Sequence, residues 1–231
     1  MKISVIVLFA FLGSSYAAQE NREIVESIRL DNGLNRGSWG PTDICPDGSW
    51  VTSMEIKYAP LGAIDDTALT GIKLYCQNAD GSLAGTVMSS EADYGTWRGV
   101  RACNSGIFLY GMRGNVVPEQ GGFDDDLGMD NLHMACTDGV ILDGYDGVPM
   151  TKEEGEGGLN LTREKVVIKG REIEAVHVAL NNEGRDAGDW STWAYCSTGN
   201  RICGLETRVE RDTTLTDDAG VVDVTMYCCS V

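Results

Sequence analysis

The residues whose types and spacing could do chemistry are paired carboxylates. Asp65-Asp66, Asp125-Asp126 and Asp217-Asp218 each precede a cysteine, with the second aspartate ten residues before Cys76, Cys136 and Cys228. Glycoside-cleaving and glycosyl-transferring sites are built from two carboxylates held roughly 5 to 10 Å apart, and the same oxygens could contact a saccharide or a cation. The competing role is structural. An aspartate ahead of a strand closes a turn by accepting backbone N–H bonds, and a motif present three times suits a repeated architecture better than a single active site. The turn role is therefore expected of all three pairs, with saccharide contact second. Asp124-Asp125-Asp126 has the charge to attract Ca2+ but lacks EF-hand spacing.

Trp39, Trp97 and Trp190 could stack on sugar rings, but each stands six residues ahead of a cysteine. That phase predicts packing over a disulfide. Trp193 lies outside it and is the aromatic left for an exposed saccharide contact. His133 falls on the strand face opposite Leu132 and Met134 and is expected to be solvated. With two histidines and no Cys-x-x-Cys, zinc spacing is missing. No G-x-S-x-G, H-E-x-x-H or glycine-rich phosphate loop occurs, so neither a metal nor a cofactor is expected.

These residues are positioned by an internal repeat. Gly37-Ser38-Trp39, Gly95-Thr96-Trp97 and Gly188-Asp189-Trp190 lead to Cys45, Cys103 and Cys196 as G-x-W-x5-C, three times without a gap. A second cysteine follows 31, 33 and 32 residues later. Ile72, Leu74 and Cys76 alternate with Lys73 and Tyr75, and the same parity recurs before Cys136 and Cys228; period two marks a half-buried strand with the cysteine on the apolar side. A second strand starts about five residues after each first cysteine, at Trp50 to Ile56, Phe108 to Met112 and Cys203 to Val209. A third precedes each G-x-W, at Ile24 to Leu30, Thr86 to Ala92 and Glu174 to Leu180. Gly, Asp and Asn clusters between them are turn chemistry.

Three small sheets cannot each bury an apolar face alone, but they can face one another about a pseudo-threefold axis. The expected fold is therefore all-β, a disulfide-stabilised β-prism in one domain from residue 18 to 231, with copies at about 22–77, 84–137 and 172–229. The repeat then pairs Cys45 with Cys76, Cys103 with Cys136 and Cys196 with Cys228, leaving Cys203 with Cys229; in the last copy Cys228 and Cys229 are adjacent, parity alone favours Cys228, and the pairing among Cys196, Cys203, Cys228 and Cys229 stays open. Between Cys136 and Gly188 about 33 extra residues are inserted relative to the first copy. They centre on 145–171, where the acidic run Lys152 to Gly158 reads as an exposed loop and Asn160-Leu161-Thr162 is a glycosylation sequon.

Ahead of all this, Lys2, the apolar run Ile3 to Leu12 and the small residues around Ser15-Tyr16-Ala17 read as a signal peptide over residues 1–17. Its apolar run is shorter than the roughly 20 residues of a membrane span. Secretion is thus expected, which agrees with an even cysteine count. The net charge is -17, and -18 once Lys2 is removed. Such a surface repels phosphate backbones and acidic membranes, so no nucleic acid and no membrane insertion are expected.

Taken together, the G-x-W units, Cys45-Pro46-Asp47-Gly48, Asp65-Asp66-Thr67-Ala68-Leu69 followed by Ile72-Lys73-Leu74-Tyr75-Cys76, Cys203-Gly204-Leu205-Glu206-Thr207-Arg208-Val209 and the terminal Tyr227-Cys228-Cys229 resemble the vitelline membrane outer layer protein 1 family. The resemblance spans nearly the whole chain outside the insertion, and departs from the pattern at Asp217-Asp218-Ala219-Gly220-Val221. It implies three Greek-key sheets in the prism and a secreted component of an egg coat, with coat proteins or glycans as partners. Three functions follow as expectations. The first is a non-enzymatic structural component of an extracellular coat; the others are a glycan-binding module and a carbohydrate-active enzyme using an acidic pair.

Overall fold

The computed structural model describes residues 23–59, 68–118, 128–145, 159–168, 171–180, 188–210 and 220–231, with 159–168 and 171–180 described through backbone pairing alone. The signal segment therefore lies outside the described residues. In chain order the strands are β1 (Ile24–Arg29), β2 (Ser38–Trp39), β3 (Asp43–Ile44), β4 (Ser49–Tyr58), β5 (Leu69–Asn78), β6 (Leu83–Met88), β7 (Thr96–Trp97), β8 (Arg101–Ala102) and β9 (Leu109–Val116). They continue as β10 (Met129–Cys136), β11 (Ile141–Asp143), β12 (Leu159–Ile168), β13 (Arg171–Leu180), β14 (Asp189–Trp190), β15 (Ala194–Tyr195), β16 (Asn200–Glu210) and β17 (Gly220–Ser230). Among the described residues no helix is long and apolar enough to cross a membrane.

Three antiparallel five-stranded sheets are built alike. Sheet I has the order β6-β5-β4-β7, with β8 also on β4; sheet II has β11-β10-β9-β14, with β15 on β9; sheet III has β1-β17-β16-β2, with β3 on β16. In each, a long hairpin is followed by a third strand on its far edge, and the chain then returns to the opposite edge. That is the Greek-key order, fourth beside first. Sheet III takes its hairpin from the end of the chain and its other strands from the beginning.

The sequence copies are therefore out of phase with the sheets. Each copy begins at the edges of one sheet and ends in the hairpin of the next, and the disulfides follow that step. The Cys45 N–H donates to Cys203 in sheet III at 2.7 Å, while its sulfur bonds Cys76 in β5 of sheet I. Cys103 donates to Thr52 of sheet I and bonds Cys136 of sheet II; Cys196 donates to Tyr110 of sheet II and bonds Cys228 of sheet III. Three bridges thus join the three sheets in a ring. Each closes a loop of about thirty residues and by chain entropy contributes up to about 3 to 4 kcal/mol. The fourth, Cys203 to Cys229, lies within sheet III and ties β16 to β17.

The apolar alternation fills the axis as expected. Ile72, Leu74 and Cys76, Leu132, Met134 and Cys136, and Val224, Met226 and Cys228 are all fully buried in one cluster with Ile56, Met112 and Leu205. Full burial of side chains of this size is worth roughly 1.5 to 3 kcal/mol each. The glycine of each G-x-W has a steric reason. A Cβ on Gly37, Gly95 or Gly188 would lie 2.6 Å, 3.1 Å and 2.2 Å from backbone atoms of Val209, Tyr58 and Val116, the ends of the three central strands.

Two expectations about the third copy are corrected. Glu174 to Leu180 is a strand, but within β13 it pairs with β12 as a two-stranded ribbon from Leu159↔Leu180 to Ile168↔Arg171. The edge position in sheet II is taken instead by β11, which pairs with β10 directly after the turn at Asp138 and Gly139. Tyr145, placed at the start of the exposed insertion, is buried, with its ring edge-on to Tyr58 at 4.8 Å and the Arg98 guanidinium over it at 4.4 Å. The acidic run at 152–158 and the side chain of Asn160 lie outside the described residues.

Candidate functional site

Asp65, Asp66, Asp125, Asp126, Asp217 and Asp218 fall in 60–67, 119–127 and 211–219, outside the described residues. The three segments each connect the two long strands of one sheet. Among the described residues no group of three His, Cys, Asp or Glu side chains is placed to hold a metal ion. Trp193 is described, and the chemistry-bearing side chains that the structure does bring together lie around it, on the outer face of sheet II.

Pairing with the G-x-W strands makes outer-face positions equivalent. Glu206, Glu55 and Arg113 stand at one position of β16, β4 and β9; Tyr227, Tyr75 and Ala135 stand beside them on β17, β5 and β10. In sheet III the Tyr227 hydroxyl donates to Glu206 at 2.6 Å. In sheet I the Tyr75 hydroxyl donates to Glu55 at 2.7 Å, and burial together with that carboxylate pushes the phenol up to about 12. Sheet II has a cation where the others have a carboxylate, and a methyl where they have a phenol.

Around Arg113 a different network forms. Its Nε donates to His133 Nδ1 at 3.3 Å, and its guanidinium lies over the rings of Trp190 at 4.5 Å and Trp193 at 5.1 Å. His133 Nε2 lies 3.2 Å from Asp143, whose other oxygen accepts from Asn131 at 3.0 Å. The space over Ala135 is used by Tyr195, which stacks on Tyr110 at 5.2 Å and on Trp193 at 5.6 Å. Gly111 permits this, since a Cβ there would lie 2.2 Å from the Tyr195 ring. Burial, with a smaller contribution from Tyr110 and against the opposing Arg113 charge, pushes the Tyr195 phenol well above its ordinary range.

Three expectations are corrected by this face. His133 does point away from Leu132 and Met134, but it is 1% exposed, because Trp190 covers it at 4.1 Å between the rings. The repeat tryptophans lie on cations on the outer face, whereas the sulfurs they were expected to cover are buried on the inner one. Trp39 meets Arg29 at 4.9 Å and Trp97 meets Lys73 at 3.7 Å, as Trp190 meets Arg113. Trp193 is half-buried within the stack rather than openly exposed, and its indole N–H is covered without a hydrogen-bond partner among the described residues.

A second cluster caps one end of the pseudo-threefold axis. Trp50, Phe108 and Arg201 occupy equivalent places at the start of the three central strands. Trp50 and Phe108 meet edge to face at 5.8 Å, and the Arg201 guanidinium lies over Phe108 at 4.1 Å and Trp50 at 5.5 Å. Beside it opens a groove of about 330 Å³ lined by Tyr110, Thr137, Gly199, Asn200, Arg201 and Val231. Arg113, Tyr195 and Arg201 were not singled out from the sequence. The signal for Arg201 was present: Trp50, Phe108 and Arg201 each stand five residues after the first cysteine of a copy.

Comparison with known proteins gives three results. The pattern of the family described as "Vitelline membrane outer layer protein I (VOMI)" matches residues 26–153 and 168–231, the break falling at the insertion. Curated relatives called "Vitelline membrane outer layer protein 1 homolog" are 28% identical in mouse over 207 residues (88% of this chain, 83% of the relative) and 28% identical in human over 209 residues (87% and 82%). Among solved structures, an artocarpin–mannotriose complex aligns over 88% of this chain and 96% of that one at 10% identity and a TM-score of 0.48. Calystegia sepium agglutinin aligns over 85% and 91% at 14% identity and 0.44.

Proposed function

The chain belongs to the vitelline membrane outer layer protein I family, and on that premise we propose that it is a secreted, non-enzymatic structural component of an extracellular coat. The observation that carries this reading is the ring of Cys45–Cys76, Cys103–Cys136 and Cys196–Cys228 bridges, which joins every sheet to the next. Such a lock suits an oxidising exterior in which a protein must persist without renewal. The triplicate acidic pairs act as turn-forming residues in this reading, and the insertion carries an N-linked glycan at Asn160. Coat proteins or glycans are the partners, engaged by weak contacts repeated across many copies.

The test is to express the full chain in secreting cells and follow it by antibody. Recovery from the medium beginning at Ala18, and retention on an isolated extracellular coat after a salt wash, is expected. Retention inside the cell, or turnover of neutral oligosaccharides by the purified protein, contradicts the reading. A second reading, glycan binding, is favoured by the groove beside Arg201, because aromatic walls with a few hydrogen-bonding side chains are how small-molecule sites hold polar ligands.

A further inference from the structure

Arg201 breaks the pseudo-threefold pattern at the axis, where the other two copies supply the aromatics Trp50 and Phe108. Its guanidinium packs over both rings, while the strand pairing of its backbone is ordinary. Among the described residues no carboxylate pairs with it, including the terminal carboxylate of Val231, in a chain whose net charge is -17. A cation stacked on aromatic faces keeps its planar edge open for a two-point hydrogen bond, the geometry that suits carboxylate and sulfate oxygens. Arg201 belongs to the lining of the groove, whose volume of about 330 Å³ is at the small end of ligand sites.

The rest of the lining supplies hydroxyl-matching groups. Thr137 Oγ1 stands within 3.5 Å of the Phe108 N–H, which leaves its hydroxyl proton to donate elsewhere. The Asn200 amide N–H donates to Glu26 at 3.2 Å, which leaves its carbonyl oxygen able to accept. Tyr110 brings an aromatic wall continuous with the Tyr195 stack. Glu26 is the carboxylate tied to this lining, and it also accepts the Ser197 N–H and hydroxyl at 2.5 Å and 2.7 Å. Those bonds hold its carboxyl below the usual range, so it stays ionised and opposes an anion.

We propose that this groove binds an acidic saccharide unit, with a carboxylate or sulfate oxyanion on Arg201 and the sugar hydroxyls on Thr137 and Asn200. The saccharide half rests on the glycan-binding reading; the oxyanion half rests on Arg201 alone. The coat role is not needed for either.

The probes are glucuronate and glucose 6-sulfate, with glucose and inorganic sulfate as comparators, titrated at low ionic strength against the full secreted protein. The Trp50 indole N–H, bonded to the Ser230 carbonyl at 3.1 Å, and the Asn200 side-chain amide report binding by NMR. Either acidic sugar should bind at least about tenfold more tightly than both comparators, and whichever of the two is tighter identifies the oxyanion. Arg201→Gln should remove that preference. Arg201→Lys keeps the charge without the planar fork and should restore part of it, whereas Glu26→Gln should tighten binding by removing the opposing charge. An unchanged melting temperature in Glu26→Gln separates these effects from misfolding. Glucose binding as tightly as the acidic sugars overturns the oxyanion half while leaving glycan binding standing. Inorganic sulfate equal to glucose 6-sulfate overturns the saccharide half, and no shift with any probe overturns the proposal.

Discussion

Sheets I and II share strand order, register and disulfide placement, yet their outer faces are held by opposite chemistry. In sheet I a phenol, Tyr75, donates to the buried carboxylate of Glu55, with Lys73 lying over Trp97. In sheet II the corresponding positions hold Ala135, Arg113 and His133, and the face is sealed by Trp190, Trp193 and Tyr195. The inner faces are alike because the axis demands apolar side chains from every copy. The outer faces are free to diverge, and the divergence is coordinated: carboxylate to guanidinium, phenol to methyl, and a new ring in the vacated space.

The largest effect is expected where that coordination is broken most abruptly. Arg113→Glu places a carboxylate at a buried position without the tyrosine that serves Glu55 and Glu206. A cost of about 3 to 5 kcal/mol is expected in chemical denaturation. Adding Ala135→Tyr with Tyr195→Ile gives these positions the residues of sheet III and should recover part of it. No recovery would mean that the faces are not interchangeable units.

Gly111→Ala should cost about 1 to 3 kcal/mol through displacement of the Tyr195 ring, with the near-ultraviolet circular dichroism of the stack altered. Ser53, at the same position of sheet I, already carries a Cβ, so Ser53→Ala should cost far less. An equal loss at both sites would count against the ring-over-glycine explanation.

Tyr75→Phe removes one hydrogen bond and should cost about 1 kcal/mol at neutral pH. Because the folded phenol is raised to about 12, above its unfolded value, its contribution is present below pH ~10 and is lost as pH rises toward 12. An alkaline unfolding series on wild type and Tyr75→Phe should therefore converge over that window; a constant gap would show that burial and Glu55 do not raise the phenol in the folded protein.

The smallest effect is expected at Asp223, a fully buried residue paired with Arg29, whose place in sheet II is held by Asn131. Both side chains accept the N–H of the following residue at 2.8 Å. Burial raises the Asp223 carboxyl despite the Arg29 charge, so its favourable contribution is present below pH ~4 and lost as pH rises through the folded value. Asp223→Asn should change stability by less than about 0.5 kcal/mol at pH 4 and gain on the wild type as pH rises to 7. A variant that instead falls behind the wild type as pH rises would mean that the ion pair outweighs burial.

The fold was legible where it depends on local periodicity. Alternation placed Cys76, Cys136 and Cys228 on the apolar face, and the repeat spacing gave Cys45 with Cys76 and Cys103 with Cys136, while parity alone chose Cys228 over the adjacent Cys229 for Cys196, a choice the structure makes as well. Sheet membership was not legible, because a repeat read along the chain has no fixed phase; that Ile24–Arg29 closes the sheet of the last hairpin is a long-range pairing. His133 was misplaced for a related reason. Alternation says which face a side chain leaves by, but Trp190 and Arg113, from other strands, decide whether that face meets water. Glu174 to Leu180 was read correctly as a strand and wrongly as an edge of the prism, since periodicity does not name a partner. Arg201 was legible from its phase alone and needed the axis to give that phase meaning.

Three disulfides lock the sheets of the prism in a ring, and disulfide mapping of the protein recovered from the medium of secreting cells tests that lock most directly. Non-reducing peptide mass spectrometry should return Cys45 with Cys76, Cys103 with Cys136, Cys196 with Cys228 and Cys203 with Cys229. Recovery of Cys45 joined to Cys103, or of free thiols at any of the three ring bridges, would contradict it.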